Sequence, residues 1–290
     1  MGTSAKNRGS SSDNPLVPSW LDGTAPDPSP LPVATPEAVA SPQNQSTPEL
    51  PSPPPLPLPP LPPKGDKDRF RPARIAFNRA VRYGNVRENL GRSLAGYSRR
   101  GIGGSRTGAR RMGNTSRSAG QILGFAQAVR DVGFPQAADE FGVGDLTGRP
   151  LGEAVSRLTE AFCEPGGTID EAITRAAWNE TLLLAVEQGV EDFEGLTAQE
   201  WTSLVEIFIA RSIEFRVFND IGNDALGGTL NVEQIDAIQA DLHDLIFGAV
   251  QGKLTPIITS RYRSSNKALR EAADNTYQLA FAYLEALGEE

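Results

Sequence analysis

Residues 198–221 read AQEWTSLVEIFIARSIEFRVFNDI, and this stretch decides the fold. Large apolar side chains recur along it at helical spacing, but they fall on more than one face of the helix. A helix that is apolar on several faces lies inside a larger structure, because each apolar face needs a neighbour. The stretch therefore predicts a long central helix on which the rest of the chain packs.

Helical patterns continue through most of the chain outside this stretch. They cover 69–82, 85–98, 105–129, 150–162, 168–188, 232–251 and 266–287. Thr168 and Glu171 match a capping box, in which each side chain satisfies a backbone amide of the other at a helix start. No segment shows the alternation with a period of two that strands require. We therefore predict an all-α fold, a single helical domain of seven or eight helices.

Residues 1–63 differ in composition and are predicted to form a long disordered tail. They hold 18 of the 23 prolines and few residues able to build a core. Such a segment buries too little apolar surface to offset the entropy lost on ordering. One apolar segment within it is expected to dock on a partner, because an exposed tryptophan favours binding, although a chance apolar cluster is the alternative. Its residues are Leu16, Val17, Pro18, Trp20 and Leu21.

Charge divides the chain into three parts. The tail carries a net charge of −3, a basic helical segment at 64–117 carries +12, and an acidic helical body at 118–290 carries −17. The basic segment either binds an acidic or nucleic-acid partner or packs on the acidic body. Five of its arginines lie among small residues and suit contact with phosphates. They are Arg99, Arg100, Arg106, Arg110 and Arg111.

The central helix also carries polar residues among large apolar ones. Buried polar groups need partners, so we expect either a structural polar network or a helix that binds a partner protein. The residues concerned are Arg211, Glu214, Arg216, Asn219 and Asp220.

A single cysteine, Cys163, and a single histidine, His243, limit the chemistry available. They supply neither a zinc ligand set nor a nucleophile–base pair, so we expect no metal, no cofactor and no catalytic residue. Cys163 is expected to be a small buried hydrophobe. His243 is expected to be a lone surface side chain, and the alternative is an ion pair with Asp236, Asp241 or Asp244 at helical spacing. No apolar stretch is long enough to cross a bilayer and the start does not match a signal peptide, which predicts a cytoplasmic protein without a membrane partner.

A series of short motifs resembles the QatB component of the bacterial Qat anti-phage defence system. The motifs are MGTS at 1–4, PLVPSWL at 15–21, RFR at 69–71, GGSR at 103–106, RRMG at 110–113, PGGTIDEA at 165–172, ARSIE at 210–214 and VFNDIG at 217–222. The resemblance implies three partners, a QueC-like enzyme, a P-loop ATPase and a TatD-like nuclease. It also implies a component that is not itself an enzyme.

The implied QueC-like partner leads to a prediction for Gly2. QueC-type enzymes activate a deazaguanine carboxylate as an adenylate, which ammonia then attacks. A free α-amine has a reference pKa of about 7.7–8.0 and could replace ammonia as the nucleophile. We therefore predict a scaffold or adaptor whose Gly2 is modified with a deazaguanine-type base. The alternative is a DNA-binding scaffold that couples the ATPase to the nuclease through the basic segment.

Overall fold

A computed structural model of the chain describes residues 68–83, 86–165, 167–222 and 232–288. Within these ranges the chain forms eleven α-helices and two short π-helical turns, with no strand. The prediction of an all-α fold is confirmed. Residues 1–63, with Gly2 and the apolar segment at 16–21, lie outside the described residues.

Eight of these helices have eleven or more residues, in agreement with the seven or eight predicted. The helices are α1 (Arg71–Tyr83), α2 (Val86–Gly96), α3 (Ser105–Arg111), α4 (Gly113–Val132), α5 (Phe134–Glu140), α6 (Leu151–Phe162), α7 (Ile169–Glu187), α8 (Ala198–Val217), α9 (Val232–Val250), α10 (Thr255–Ile258) and α11 (Asn266–Ala286). The predicted helix at 105–129 is divided at Met112. The Met112 amide donates to the Ala109 carbonyl three residues back, at 3.0 Å, and this tighter turn ends α3.

The two central helices begin at capping boxes. At the start of α7 the Thr168 amide donates to Glu171 Oε2 at 2.8 Å, and the Glu171 amide donates to Thr168 Oγ1 at 3.2 Å. The capping box predicted there is confirmed. Thr197 and Glu200 repeat the arrangement at the start of α8. Each box satisfies amides that would otherwise lack partners at a helix start.

Helix α8 is the centre of the structure, as the sequence predicted, and α4, α7 and α9 pack around it. Both α4 and α7 run antiparallel to α8. Trp201, near the start of α8, lies 4.9 Å from Phe125 in the second half of α4. At the other end of α8, Arg216 bonds both Asp170, at the start of α7, and the carbonyl of Arg111, just before α4. The first half of α8 is thus enclosed by aromatic side chains and its end by polar groups.

The N-terminal helices pack against the second half of the last helix, α11, and against the turn that follows α8. Helices α1 and α2 pair with one another, and α2 and α3 both contact α11. Gly108 of α3 allows this close approach, because a Cβ there would lie 2.7 Å from the Phe281 ring of α11. The change from basic to acidic composition at residue 118 falls inside α4. No described helix is long and apolar enough to cross a membrane.

Candidate interaction site at the basic end

Two helices end in π-helical turns, and these turns carry several of the predicted site residues. Helix α2 continues into the turn Tyr97–Ile102, which contains Arg99 and Arg100. Helix α8 continues into the turn Phe218–Gly222, which contains Asn219 and Asp220. π-helical turns are rare and occur frequently at functional sites.

A buried hydrogen bond joins the two turns. The Tyr97 hydroxyl donates to Asp220 Oδ2 at 2.9 Å, although the residues are 123 positions apart in the sequence. Tyr97 is fully buried. Burial raises the pKa of Tyr97 well above its ordinary value, and the nearby Asp220 carboxylate raises it further. The hydroxyl therefore stays protonated and remains a hydrogen-bond donor across the physiological pH range.

Residues in α1 and just before it contact both π-helical turns. Arg74 Nη2 donates to the Asp220 carbonyl at 3.0 Å, and the Phe70 ring stacks on Tyr97 with 5.7 Å between centroids. Gly101 lies against Phe70, and a Cβ at this position would be 2.5 Å from the ring. A larger residue at 101 would therefore displace Phe70 and with it the start of α1.

The predicted phosphate-contact arginines lie on this part of the molecule. Arg99, Arg100, Arg106 and Arg110 are exposed, and Arg111 is half-buried. Between the first π-helical turn and α3 the chain turns at two adjacent glycines, Gly103 and Gly104, with φ values of +94° and +93°. Such values suit glycine because a Cβ is disfavoured there. We refer to α1, the turn Tyr97–Ile102 and α3 together as the basic end.

Three arginines of the basic end lack a carboxylate partner among the described residues. Within the described part of the chain, the side chains of Arg100, Arg106 and Arg110 form no ion pair with a carboxylate. Arg117 in α4 differs, because its guanidinium lies 2.6 Å from Glu164. The charges of Arg100, Arg106 and Arg110 are therefore available to an external anionic group.

The five polar residues predicted at the end of the central helix do not form one network. Arg211 Nη1 lies 2.7 Å from Glu214 Oε2, and His243 Nδ1 of α9 lies 2.6 Å from Glu214 Oε1. The Glu214 side chain is only 4% exposed, and the His243 ring stacks on Phe247. The expectation that His243 is a lone surface residue was wrong, because the packing of α9 on α8 brings it to Glu214.

Arg216 and the residues of the second π-helical turn have other partners. Arg216 bonds Asp170 at 2.5 Å and the Arg111 carbonyl at 3.1 Å. Asn219 is exposed and donates to Asp220 Oδ1 at 3.2 Å. The predicted set is thus divided among three groups, each linking α8 to a different part of the chain. Sequence reasoning did not identify Tyr97, Asp170 and His243 as the partners, because they are distant along the chain.

Cys163 is buried, as expected. Burial raises the pKa of its thiol to about 12, and this outweighs the opposing effect of Arg175 and of a hydrogen bond from Ser118. The thiol is therefore protonated at neutral pH and is a poor nucleophile.

Comparison with protein families identifies a match over most of the helical chain. The model of QatB, the Qat anti-phage system associated protein, matches residues 103–284, more than half of the chain. The chain belongs to the QatB family. The predicted family is thereby confirmed, and with it a component of an anti-phage defence system. Comparison with curated proteins and with solved structures gives no match.

The matched range defines which parts of this QatB chain carry the family likeness. It begins at Gly103 and takes in α3 to α10 and nearly all of α11. Arg106, Arg110 and the second π-helical turn lie within it. Helix α1 and the N-terminal motifs at 1–4, 15–21 and 69–71 lie before it.

Proposed function

We propose that this QatB chain is an adaptor and protein substrate of the Qat system, without catalytic activity of its own. Its helical body binds other components, and its N-terminus is modified by a QueC-like partner. The observation that supports the adaptor role is the exposure of Arg100, Arg106 and Arg110 at the basic end, which form no ion pair with a described carboxylate. Exposed charge of one sign attracts partners of the opposite sign and orients their approach.

The proposed modification uses the α-amine of Gly2 after removal of Met1. The unprotonated amine attacks the carbonyl carbon of a deazaguanine acyl-adenylate, which the QueC-like partner makes from ATP. An amide bond forms, the bond to AMP breaks, and the nitrogen loses a proton to solvent. At neutral pH part of the α-amine population is already unprotonated, because its reference pKa is about 7.7–8.0. Glycine places no side chain beside the attacking nitrogen.

The apolar segment containing Leu16, Val17, Pro18, Trp20 and Leu21 supplies the proposed contact with the QueC-like partner. Aromatic residues flanked by apolar ones contribute much of the affinity of short recognition segments. Residues 23–63 act as a proline-rich spacer between this contact and the helical body.

Intact-mass measurement tests the modification. The full chain is co-expressed with the QueC-like partner, and we expect a mass increase of one deazaguanine acyl group on the N-terminal peptide. Gly2→Glu, which retains Met1, is expected to abolish the increase, and Trp20→Ala to reduce it. A native chain that keeps its unmodified mass beside an active partner would refute this part of the proposal.

A second candidate is a DNA-binding scaffold that couples a P-loop ATPase to a TatD-like nuclease. It is favoured by the exposure of Arg100, Arg106 and Arg110, since phosphate contacts need accessible guanidinium groups. DNA binding would then weaken steeply with salt, and Arg106→Glu with Arg110→Glu would reduce the salt dependence. Arg261→Glu, an exposed arginine outside the basic end, is the matched control. Binding that is absent or insensitive to salt would exclude this candidate.

A further inference from the structure

Two exposed helical faces on this chain have opposite charge and the same arrangement. On α1, Arg71, Ile75 and Arg79 are exposed and recur at intervals of four residues, so they lie along one face. On α7, Leu183 and Glu187 are exposed and Glu180 is half-buried, and their intervals of three and four place them along one face as well. Each face has an aliphatic residue between two charges of one sign.

The aliphatic residues are accessible on both faces. Ile75 is 45% exposed and Leu183 is 50% exposed, and each is among the few large apolar side chains of the described chain that reach the surface to this extent. Protein interfaces commonly have an apolar centre and a polar rim. Phosphate contact requires no aliphatic centre, so Ile75 favours a protein partner for α1 over a nucleic acid.

The dimensions of the two faces also agree. With a helical rise of 1.5 Å per residue, Arg71 and Arg79 are separated by about 12 Å along α1, and Glu180 and Glu187 by about 10 Å along α7. When the two helices run side by side with Ile75 on Leu183, each arginine therefore comes within reach of a glutamate. The two spacings differ slightly, and long, flexible charged side chains can adjust to this difference.

The sequence near each face carries further charges of the same sign as the face. Residues 69–82 contain five arginines and no acid, whereas residues 187–200 contain five acids and no basic residue. The net charges of the two surfaces are therefore complementary, and a contact between two faces of the same type would be repulsive.

The two faces cannot meet within one molecule. Helix α1 contacts the end of α8, where Arg74 bonds the Asp220 carbonyl. The start of α7 lies at that same end, through the bond between Asp170 and Arg216. Leu183 is thirteen residues further along α7, about 20 Å from this end. Contact between the faces thus requires two copies of the chain.

We propose that α1 of one copy docks on the Glu180–Leu183–Glu187 face of α7 in a second copy, so that chains associate head to tail. Because the two faces are different surfaces, the contact is heterologous, and a bound pair still presents one free face of each kind, α7 on one copy and α1 on the other. The contact area is small, so the association is weak, reversible and sensitive to salt. This inference is independent of the proposed modification of Gly2.

Sedimentation velocity of the full chain, treated with nuclease, tests the proposal. The native chain is expected to show an average mass that rises with concentration at about 50 mM salt and returns to that of the monomer at about 500 mM. Arg71→Glu with Arg79→Glu, and separately Glu180→Lys with Glu187→Lys, are each expected to weaken association by about tenfold or more. All four positions lie outside the core, so circular dichroism should be unchanged.

Mixing the two charge-reversed variants distinguishes this pairing from other modes of association. Each variant alone presents two faces of like charge, whereas an equimolar mixture contains complementary faces again. Recovery of association in the mixture supports the proposed contact. A native chain that stays monomeric at low salt, or a mixture in which association does not recover, overturns it.

Discussion

The two halves of α8 lie in different surroundings. Trp201 near its start and Phe208 at its middle pack edge to face with Phe125 and Trp178, and these rings are fully buried. Around its end, the contacts are specific polar pairs, such as Glu214 with His243. Apolar packing tolerates small shifts, whereas a hydrogen bond fixes both distance and direction. The first half therefore supplies stability, and the end fixes the position of the basic end.

The largest expected effect follows from removing an aromatic ring from the first half. Trp201→Ala should lower the free energy of unfolding by about 3–5 kcal/mol, because it leaves a cavity among closely packed rings. Denaturation in urea, followed by circular dichroism, measures the change. Tyr262→Ala is the control, since Tyr262 is 83% exposed, and should change stability by less than about 0.5 kcal/mol. Equal effects of the two substitutions would contradict the assignment of the core.

A smaller loss of stability is expected at the end of α8, where the contacts are polar. Glu214→Gln keeps the shape of the side chain but removes the charge between Arg211 and His243, so stability should fall by about 2–3 kcal/mol. Urea denaturation again provides the measurement, with the exposed Glu187→Gln as the matched control. A Glu214→Gln protein that is as stable as the native chain would show that the contacts of Glu214 with Arg211 and His243 contribute little to stability.

The link between the two π-helical turns should contribute less than the Glu214 pair. Tyr97→Phe removes only the hydroxyl that donates to Asp220 and should cost about 1–2 kcal/mol. Hydrogen exchange of the amides at 97–102 and 218–222 should quicken more than that of the first half of α8. Tyr262→Phe, which changes an exposed hydroxyl, should alter neither quantity. If exchange quickened equally at all amides of α8, the effect of the Tyr97–Asp220 hydrogen bond would not be local to the two turns.

The smallest effect, which depends on pH, is expected at the start of α7. The amides of Gly167 and Thr168 lower the pKa of the Glu171 carboxyl in the folded chain. Its contribution is present above the unfolded pKa of about 4.3 and is lost as pH falls through the lower folded value. The stability difference between the native chain and Glu171→Gln should therefore shrink between about pH 5 and pH 3. A stability difference that grows as the pH falls would contradict the predicted direction of this dependence.

The sequence allowed the fold to be predicted because its signals are local. The Thr-x-x-Glu pattern marks the start of α7 at Thr168, and the same pattern at Thr197 marks the start of α8. The polar pairs at the end of α8 and in the turn after it join residues that are far apart in the sequence, such as Tyr97 with Asp220 and Glu214 with His243. They depend on which helices become neighbours, and neither composition nor spacing carries that information. The π-helical turns likewise have no recognised sequence pattern.

A pull-down with the other components of the defence system tests the central claim most directly, that the basic end is the surface through which the chain binds its partners. The native full chain is compared with Arg100→Glu, Arg106→Glu and Arg110→Glu combined, and with Arg261→Glu as control. We predict that the triple variant, although folded, loses at least one component that the native chain and the control retain. Equal recovery of every component by all three proteins would contradict the claim.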